Sequence, residues 1–280
     1  MKRGYGVYGL VAGLTLVAMV HTVCAVTTFF VSTDGTGDGS SWASPTNSIQ
    51  GSIDAIIVTA TSTVWVTNGV YDTGGAEGYP TAGCVVSNRV AIYKPISVKS
   101  WNNDPANTII KGQPATASDP SFPFGTGAVR CAYLTNGASL IGFTLTNGYT
   151  AAVHNKPNPA LRGGGTFSGD GSFFTNSVIS NCWLRGNHAW YNGGGACHGS
   201  LYDCWIANNT SGGTGTNAAQ VSVYQGSAGG GGTFAASLYR CTVVSNRNDS
   251  SGGGGGVQMR GPEGANTNVA YACYIVGNPA

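Results

Sequence analysis

The sequence predicts an all-β solenoid, a stack of short parallel rungs closed at its start by one small helix. Three observations predict it. A phrase of glycines, then cysteine, then asparagine recurs through the second half of the chain at irregular intervals. The first half holds one helix-like segment followed only by short β-branched runs broken by turn signals. Only 9% of residues are charged, 41% are apolar and 45 of 280 are glycine, which suits a core with many turns rather than a disordered chain.

Residues 1–25 open with Lys2 and Arg3, continue with an apolar stretch from Val7 to Val20 and end in Val23-Cys24-Ala25. This pattern predicts a secretory signal peptide cut after Ala25. The apolar stretch is short for a membrane span, which needs about 20 residues. Losing Lys2 and Arg3 leaves 11 basic against 11 acidic residues. A neutral chain has no field to draw nucleic acid or an anionic membrane, so neither is expected as a partner. With no other long apolar run, the mature chain is expected to be soluble or held at a surface, without a transmembrane helix.

Residues 26–115 form the expected cap and first coils. A strand-like FFV precedes a glycine-rich loop, and Ser48 then caps a helix with Ile49, Ile53, Ile56 and Ile57 on one face. TVWVTNGVYD, CVVSNRVAIYKPISVKSW and NTIIKG follow as strands separated by Asn-Gly and Lys-Pro turns. A helix in this place covers the open edge of the first rung.

Residues 116–280 carry the repeats. The last glycine of each run is at 165, 195, 232 and 256, and the cysteines that follow are Cys182, Cys204, Cys241 and Cys273, at gaps of 17, 9, 9 and 17. Intervals of 22, 37 and 32 residues between cysteines are too irregular for propeller blades. A solenoid tolerates them, because a loop can bulge from one corner while the strands stay in register. Stacking the copies gives three columns. Phe143, Cys182, Cys204, Cys241 and Cys273 form the first; Leu145, Leu184, Ile206, Val243 and Ile275 lie two residues on and share its interior face. Asn187, Asn209, Asn246 and Asn278 form the third, in which each side-chain amide can bond the coils above and below while closing a turn.

GGGACHGSLYDCWIANN and its copies resemble the repeats of right-handed parallel β-helix proteins of bacterial surfaces. They are similar to the GGA-[apolar] and FxxN repeats of chlamydial polymorphic outer membrane proteins. FFVSTDGTGDGSSWASPTNSIQGSIDAI and VWVTNGVYD resemble the capping helix and first coils of pectin-lyase-like domains. The resemblance implies a right-handed single-stranded parallel β-helix, secreted or on a bacterial outer surface. It differs from the surface family in that no membrane-barrel domain follows. The chain stops at Gly277–Ala280 as a coil closes, so a fragment or a truncated reading frame is expected, with self-association through an open terminal coil.

Seven cysteines remain after Cys24 is removed, an odd number that leaves at least one thiol unbridged. Buried packing thiols and one or two bridges, Cys182–Cys204 or Cys241–Cys273, both stay open. Zinc does not fit, because no CxxC pair occurs and His154, His188 and His198 match no ligand spacing. Asp34 and Asp38 could hold calcium, but a cap loop with Asx turns explains them more simply; no metal and no cofactor are expected. No catalytic residue is assigned: Asp170, Asp203, Asp249 and Glu263 share no column, and Asp203 is expected to meet Arg240 as a surface pair.

One residue after each cysteine come Trp183, Trp205, Thr242 and Tyr274, facing solvent by alternation, with Trp190, Tyr191 and Tyr202 close in sequence. Exposed rings on a neutral surface suit sugar rings, so a non-catalytic adhesion or glycan-binding role toward extracellular or cell-wall polysaccharide is expected. Cross-strand packing of aromatics is the plainer account of the same column. A polysaccharide lyase or glycoside hydrolase, and a purely structural repeat, are the alternatives.

Overall fold

The computed structural model describes residues 27–59, 61–81, 84–116, 123–152, 159–169, 176–212, 228–250, 252–260 and 268–280. The expected signal peptide lies outside them. The described chain is a parallel β-helix, nearly all β with a single α-helix. Its strands line up in four walls of eight, seven, six and three strands, and every pairing between them is parallel. The expected right hand is that of about 98% of parallel crossovers.

Each coil visits the walls in a fixed order. One coil runs Ser200–Tyr202 in the first wall, Trp205–Ala207 in the second, Thr210–Ser211 in the small fourth and Thr233–Phe234 in the third. The predicted columns are the register of the second wall: Leu145, Leu184, Ile206, Val243 and Ile275 pair in succession. The cysteine column stacks beneath it, since Trp205 N donates to Cys182 O and Thr242 N to Cys204 O. Phe143, Cys182, Cys204 and Cys241 are buried in one continuous core with the aliphatic column; Cys273 packs against it. In the last coil Tyr271, Tyr274, Ile275 and Val276 are exposed.

The variable spacing has two sources rather than one corner. Residues 170–175 and 261–267 intervene between the third and first walls, and 213–227 between the fourth and third. The strands on either side keep register, with Ile179 paired to Leu140 and Leu201, and Thr166 to Ala132 and Ala196.

The helix spans Ile49–Ala55, and the Ser48 hydroxyl accepts from Gly51 N at 2.9 Å as its N-cap. Ile49, Ile53 and Ile56 are buried; Ile57 is exposed because the chain turns extended at Ile56 and leaves the helical face. The helix covers the top of the third wall through Gln50. Ala91 N donates to Gln50 Oε1 at 2.7 Å, and Gln50 Nε2 donates back to Ala91 O at 3.3 Å, so one side-chain amide stands in for a missing strand.

The glycines answer a packing demand set by the asparagines. A Cβ on Gly195 would lie 2.6 Å from Gly232 O and 3.0 Å from Asn209 Nδ2, and one on Gly165, Gly232 or Gly256 meets the asparagine of the next coil, Asn187, Asn246 or Asn278. The backbone lies flat on the asparagine ladder, and only glycine permits it.

Candidate binding surface

The corner between the first and second walls turns on one residue in the left-handed region in each of six successive coils: Asn103, Gly142, Asn181, Asp203, Arg240 and Ala272. For Arg240 and Ala272 this conformation costs about 1–2 kcal/mol, which the stacked walls on both sides impose. The turn throws the residue at each corner outward. Asp203 and Arg240 therefore meet on adjacent coils, with Nε–Oδ1 at 2.7 Å and Nη2–Oδ2 at 2.8 Å. Both side chains are about half exposed, so solvent screens the pair and it adds little to stability. The hydrogen bond from Arg240 holds the Asp203 carboxyl below its ordinary pKa.

Aromatic columns flank this polar corner. On the first wall Tyr202 and Tyr239 stack at 4.6 Å and 8°, and Tyr271 follows in register, exposed. On the second wall Trp183 and Trp205 pair edge to face at 5.6 Å and 77°, with the Arg185 guanidinium 6.0 Å from the Trp183 ring. Thr242 and exposed Tyr274 continue the column. Trp183, Trp205, Tyr202 and Tyr239 are half-buried. Their contacts with one another are the cross-strand packing expected of aromatics, and the perpendicular setting of the two indoles leaves the faces of the edge-on ring uncovered by its partner.

Trp190 is not part of this surface. It is 1% exposed, packed with Leu161, and Phe124 meets its ring at 5.3 Å. It follows the two-residue strand His188–Ala189 of the fourth wall and is buried in a small cluster of its own, with Phe124, Ala152 and Tyr191 around it, apart from the main core. Tyr191 is half-buried, with the Arg162 guanidinium over its ring at 5.6 Å, away from the corner columns.

The front loop carboxylates are occupied by serines. Asp34 accepts from Ser32 Oγ at 2.6 Å; Asp38 accepts from Ser40 N, Ser40 Oγ and Ser44 Oγ at 3.0, 2.7 and 3.0 Å. These bonds lower both pKa values and match Asx turns. Among the described residues no three His, Cys, Asp or Glu side chains gather as a metal site. Asp249 pairs with Arg247 two residues away, while His154, Asp170 and Glu263 lie outside the described residues. All seven described cysteines are free thiols. No described helix is long and apolar enough to cross a membrane.

Sequence reasoning missed a second aromatic group near the capped end. Phe30–Trp42 and Trp42–Trp101 are each 4.8 Å apart, Trp65–Trp101 is 5.6 Å, and the Lys99 ammonium lies 5.5 Å from Trp65. Phe30, Trp65 and Lys99 share one outward register column of the first wall, and strict alternation in TFFV, TVWV and SVKS was the available signal.

No family model matches the chain, and no curated protein matches it. Among solved structures it is similar to a pectin methylesterase from carrot, with a TM-score of 0.36 and 16% identity over 93% of this chain and 84% of that one. It is also similar to the pectin methyl esterase of rice weevil, with a TM-score of 0.37 and 11% identity over 89% and 88%.

Proposed function

We propose that this chain is a secreted or cell-surface β-helix that binds polysaccharide without transforming it. The observation that supports the reading is the corner just described. Three adjacent columns run along the axis: tyrosines, a hydrogen-bonded Asp203–Arg240 pair, and tryptophans. A sugar polymer lying along that corner stacks apolar ring faces on indole and phenol while its hydroxyls reach the carboxylate and guanidinium edges. At this corner Asp203 is engaged by Arg240, and Asp104, three coils away, accepts from Ala106 N and Asn107 Nδ2, so no pair of carboxylates stands ready for acid–base cleavage.

The test is a glycan array probed with the mature chain, beside lyase and reducing-sugar assays. The reading expects binding to at least one polysaccharide, its loss in Trp205→Ala and no cleavage products. Cleavage of the bound polymer supports the lyase or hydrolase alternative, and a blank array supports a purely structural repeat.

A further inference from the structure

The third wall has no strand above Ser87–Ile92, and two devices close that edge at different points. Gln50 pairs with Ala91, and Ala76 forms an antiparallel bridge with Asn88, with bonds of 2.8 and 2.9 Å. A cavity of about 490 Å³ opens between them, lined in part by Asn47, Tyr71, Asp72, Thr73 and Arg89. Its volume lies within the range of small-molecule sites, about 300–1,000 Å³.

Two charged groups of opposite sign line this cleft without bonding each other. Arg89 is 6% exposed and donates through Nε to Lys111 O at 2.8 Å and through Nη1 to Gly74 O. Two of the five guanidinium N–H groups are thereby engaged. No carboxylate among the described residues lies within ion-pair distance of it. Burial lowers the pKa of Arg89, and the nearby Cys131 and Asp72 oppose that shift. Asp72 is exposed and makes no hydrogen bond or ion pair among the described residues.

A ligand that satisfies both groups must offer acceptors to Arg89 and donors to Asp72. A carboxylate ligand gains the first and is repelled by the second; an amine meets the reverse. A hydroxyl is both donor and acceptor, and two neighbouring hydroxyls can each donate to one carboxylate. Thr73 and Asn47 extend the same polar lining, while half-exposed Val70 offers an apolar contact for ring C–H groups. We infer that the cleft between the cap helix and Arg89 is a saccharide subsite that takes one or two neutral sugar rings, with Asp72 accepting from their hydroxyls. It stands apart from the aromatic corner and does not depend on it.

The test is isothermal titration of the mature chain with glucose, galactose, mannose, xylose, cellobiose, maltose and galacturonate near neutral pH. At least one neutral sugar is expected to bind with a Kd below about 10 mM. Asp72→Asn, an exposed change that removes no contact of the fold, is expected to weaken it at least about tenfold with unchanged melting, and Trp205→Ala to leave it unaltered. Galacturonate is expected to bind at least about tenfold more weakly than galactose. The inference is overturned if no neutral sugar binds, if Asp72→Asn binds like the parent, if galacturonate matches galactose, or if Trp205→Ala abolishes the binding. Loss of polymer binding in Trp205→Ala alone speaks to the corner and leaves this cleft untouched.

Discussion

Asn209 Oδ1 accepts both the backbone N–H and the side-chain Nδ2 of Asn187, each at 3.0 Å, and the relation repeats from Asn209 to Asn246 and from Asn246 to Asn278. Each Nδ2 also donates upward, as Asn209 Nδ2 does to Leu184 O at 2.8 Å. At the head of the ladder Asn187 Oδ1 accepts from Gly148 N at 2.9 Å, where the preceding coil has glycine. The four asparagines thus form one hydrogen-bond chain whose members satisfy one another, buried at Asn187, Asn209 and Asn246 and half-buried at Asn278.

Asn209→Ala leaves the backbone N–H and one Nδ2 hydrogen of Asn187 without their acceptor inside the protein. At about 1–3 kcal/mol for each orphaned group, the expected loss is about 3 kcal/mol or more, read as a lower urea midpoint with an unchanged m-value. Asn209→Asp keeps the acceptor but loses both Nδ2 donors and buries a charge, so it is expected to be at least as damaging. Equal stability of parent and Asn209→Ala would remove the ladder from the account.

Gly195→Ala and Gly186→Ala separate close approach from backbone conformation. A Cβ at 195 strikes backbone of the next coil and the Asn209 amide, whereas at 186 the nearest atom is Thr146 Oγ1 at 3.8 Å. Gly186 has φ of +61°, so its substitution is expected to cost about 1–2 kcal/mol through the left-handed conformation alone. Gly195→Ala is expected to cost more, about 2–3 kcal/mol, because the walls must part. Thermal melts of both variants decide the order.

His188 stacks on Tyr149 at 4.6 Å and 18°. Burial lowers its pKa below 6.5; Asp249 opposes the shift and Arg247 adds to it. Below about pH 6.5 the unfolded chain therefore binds more protons than the folded one, and stability falls as pH drops from there through the folded pKa. His188→Gln is expected to flatten that part of the profile. Urea midpoints of parent and variant at about pH 7.5 and 5.5 measure it, and an identical pH difference in both would place His188 in water.

Burial pushes the thiols of Cys131, Cys182 and Cys197 up to about 12 and raises that of Cys204. The hydrogen bond with Cys204 lowers the Cys241 thiol to about 7, but Cys241 is 1% exposed, and Cys84 is enclosed as well, so access decides their labelling. Cys273 is the half-buried one. Alkylation of the native protein near pH 8 is expected to label Cys273 first among the seven described cysteines and the other six only on unfolding. Early labelling of Cys204 would contradict an interior cysteine column.

The core was legible because like residues recur at fixed offsets from each cysteine. Alternation alone then places Leu184, Ile206 and Val243 inside and Trp183 and Trp205 outside. The small fourth wall was not legible: its strands, such as Thr210–Ser211, are two residues long and have no period to detect. The corners at Arg240 and Ala272 were hidden because neither residue type favours a left-handed turn, and the stacked walls impose it. Trp190 follows that unseen wall and is covered by Leu161 and Phe124, which lie far from it in the chain. Trp42 and Trp101 meet only because the cap loop folds over the first wall, a contact between residues far apart in the chain. The cleft at Asp72 and Arg89 depends on where the helix comes to rest, which no local pattern encodes.

Ile206 lies at the centre of the stacked interior, fully buried and in register between Leu184 and Val243. Thermal denaturation of Ile206→Asp, followed by circular dichroism, is the most direct measurement. Burial of the aliphatic side chain is worth about 1.5–3 kcal/mol and an unpaired buried carboxylate adds to the loss, so the repeat half is expected to lose its cooperative transition. A variant that melts like the parent would put residue 206 outside and end the account of an in-register parallel stack.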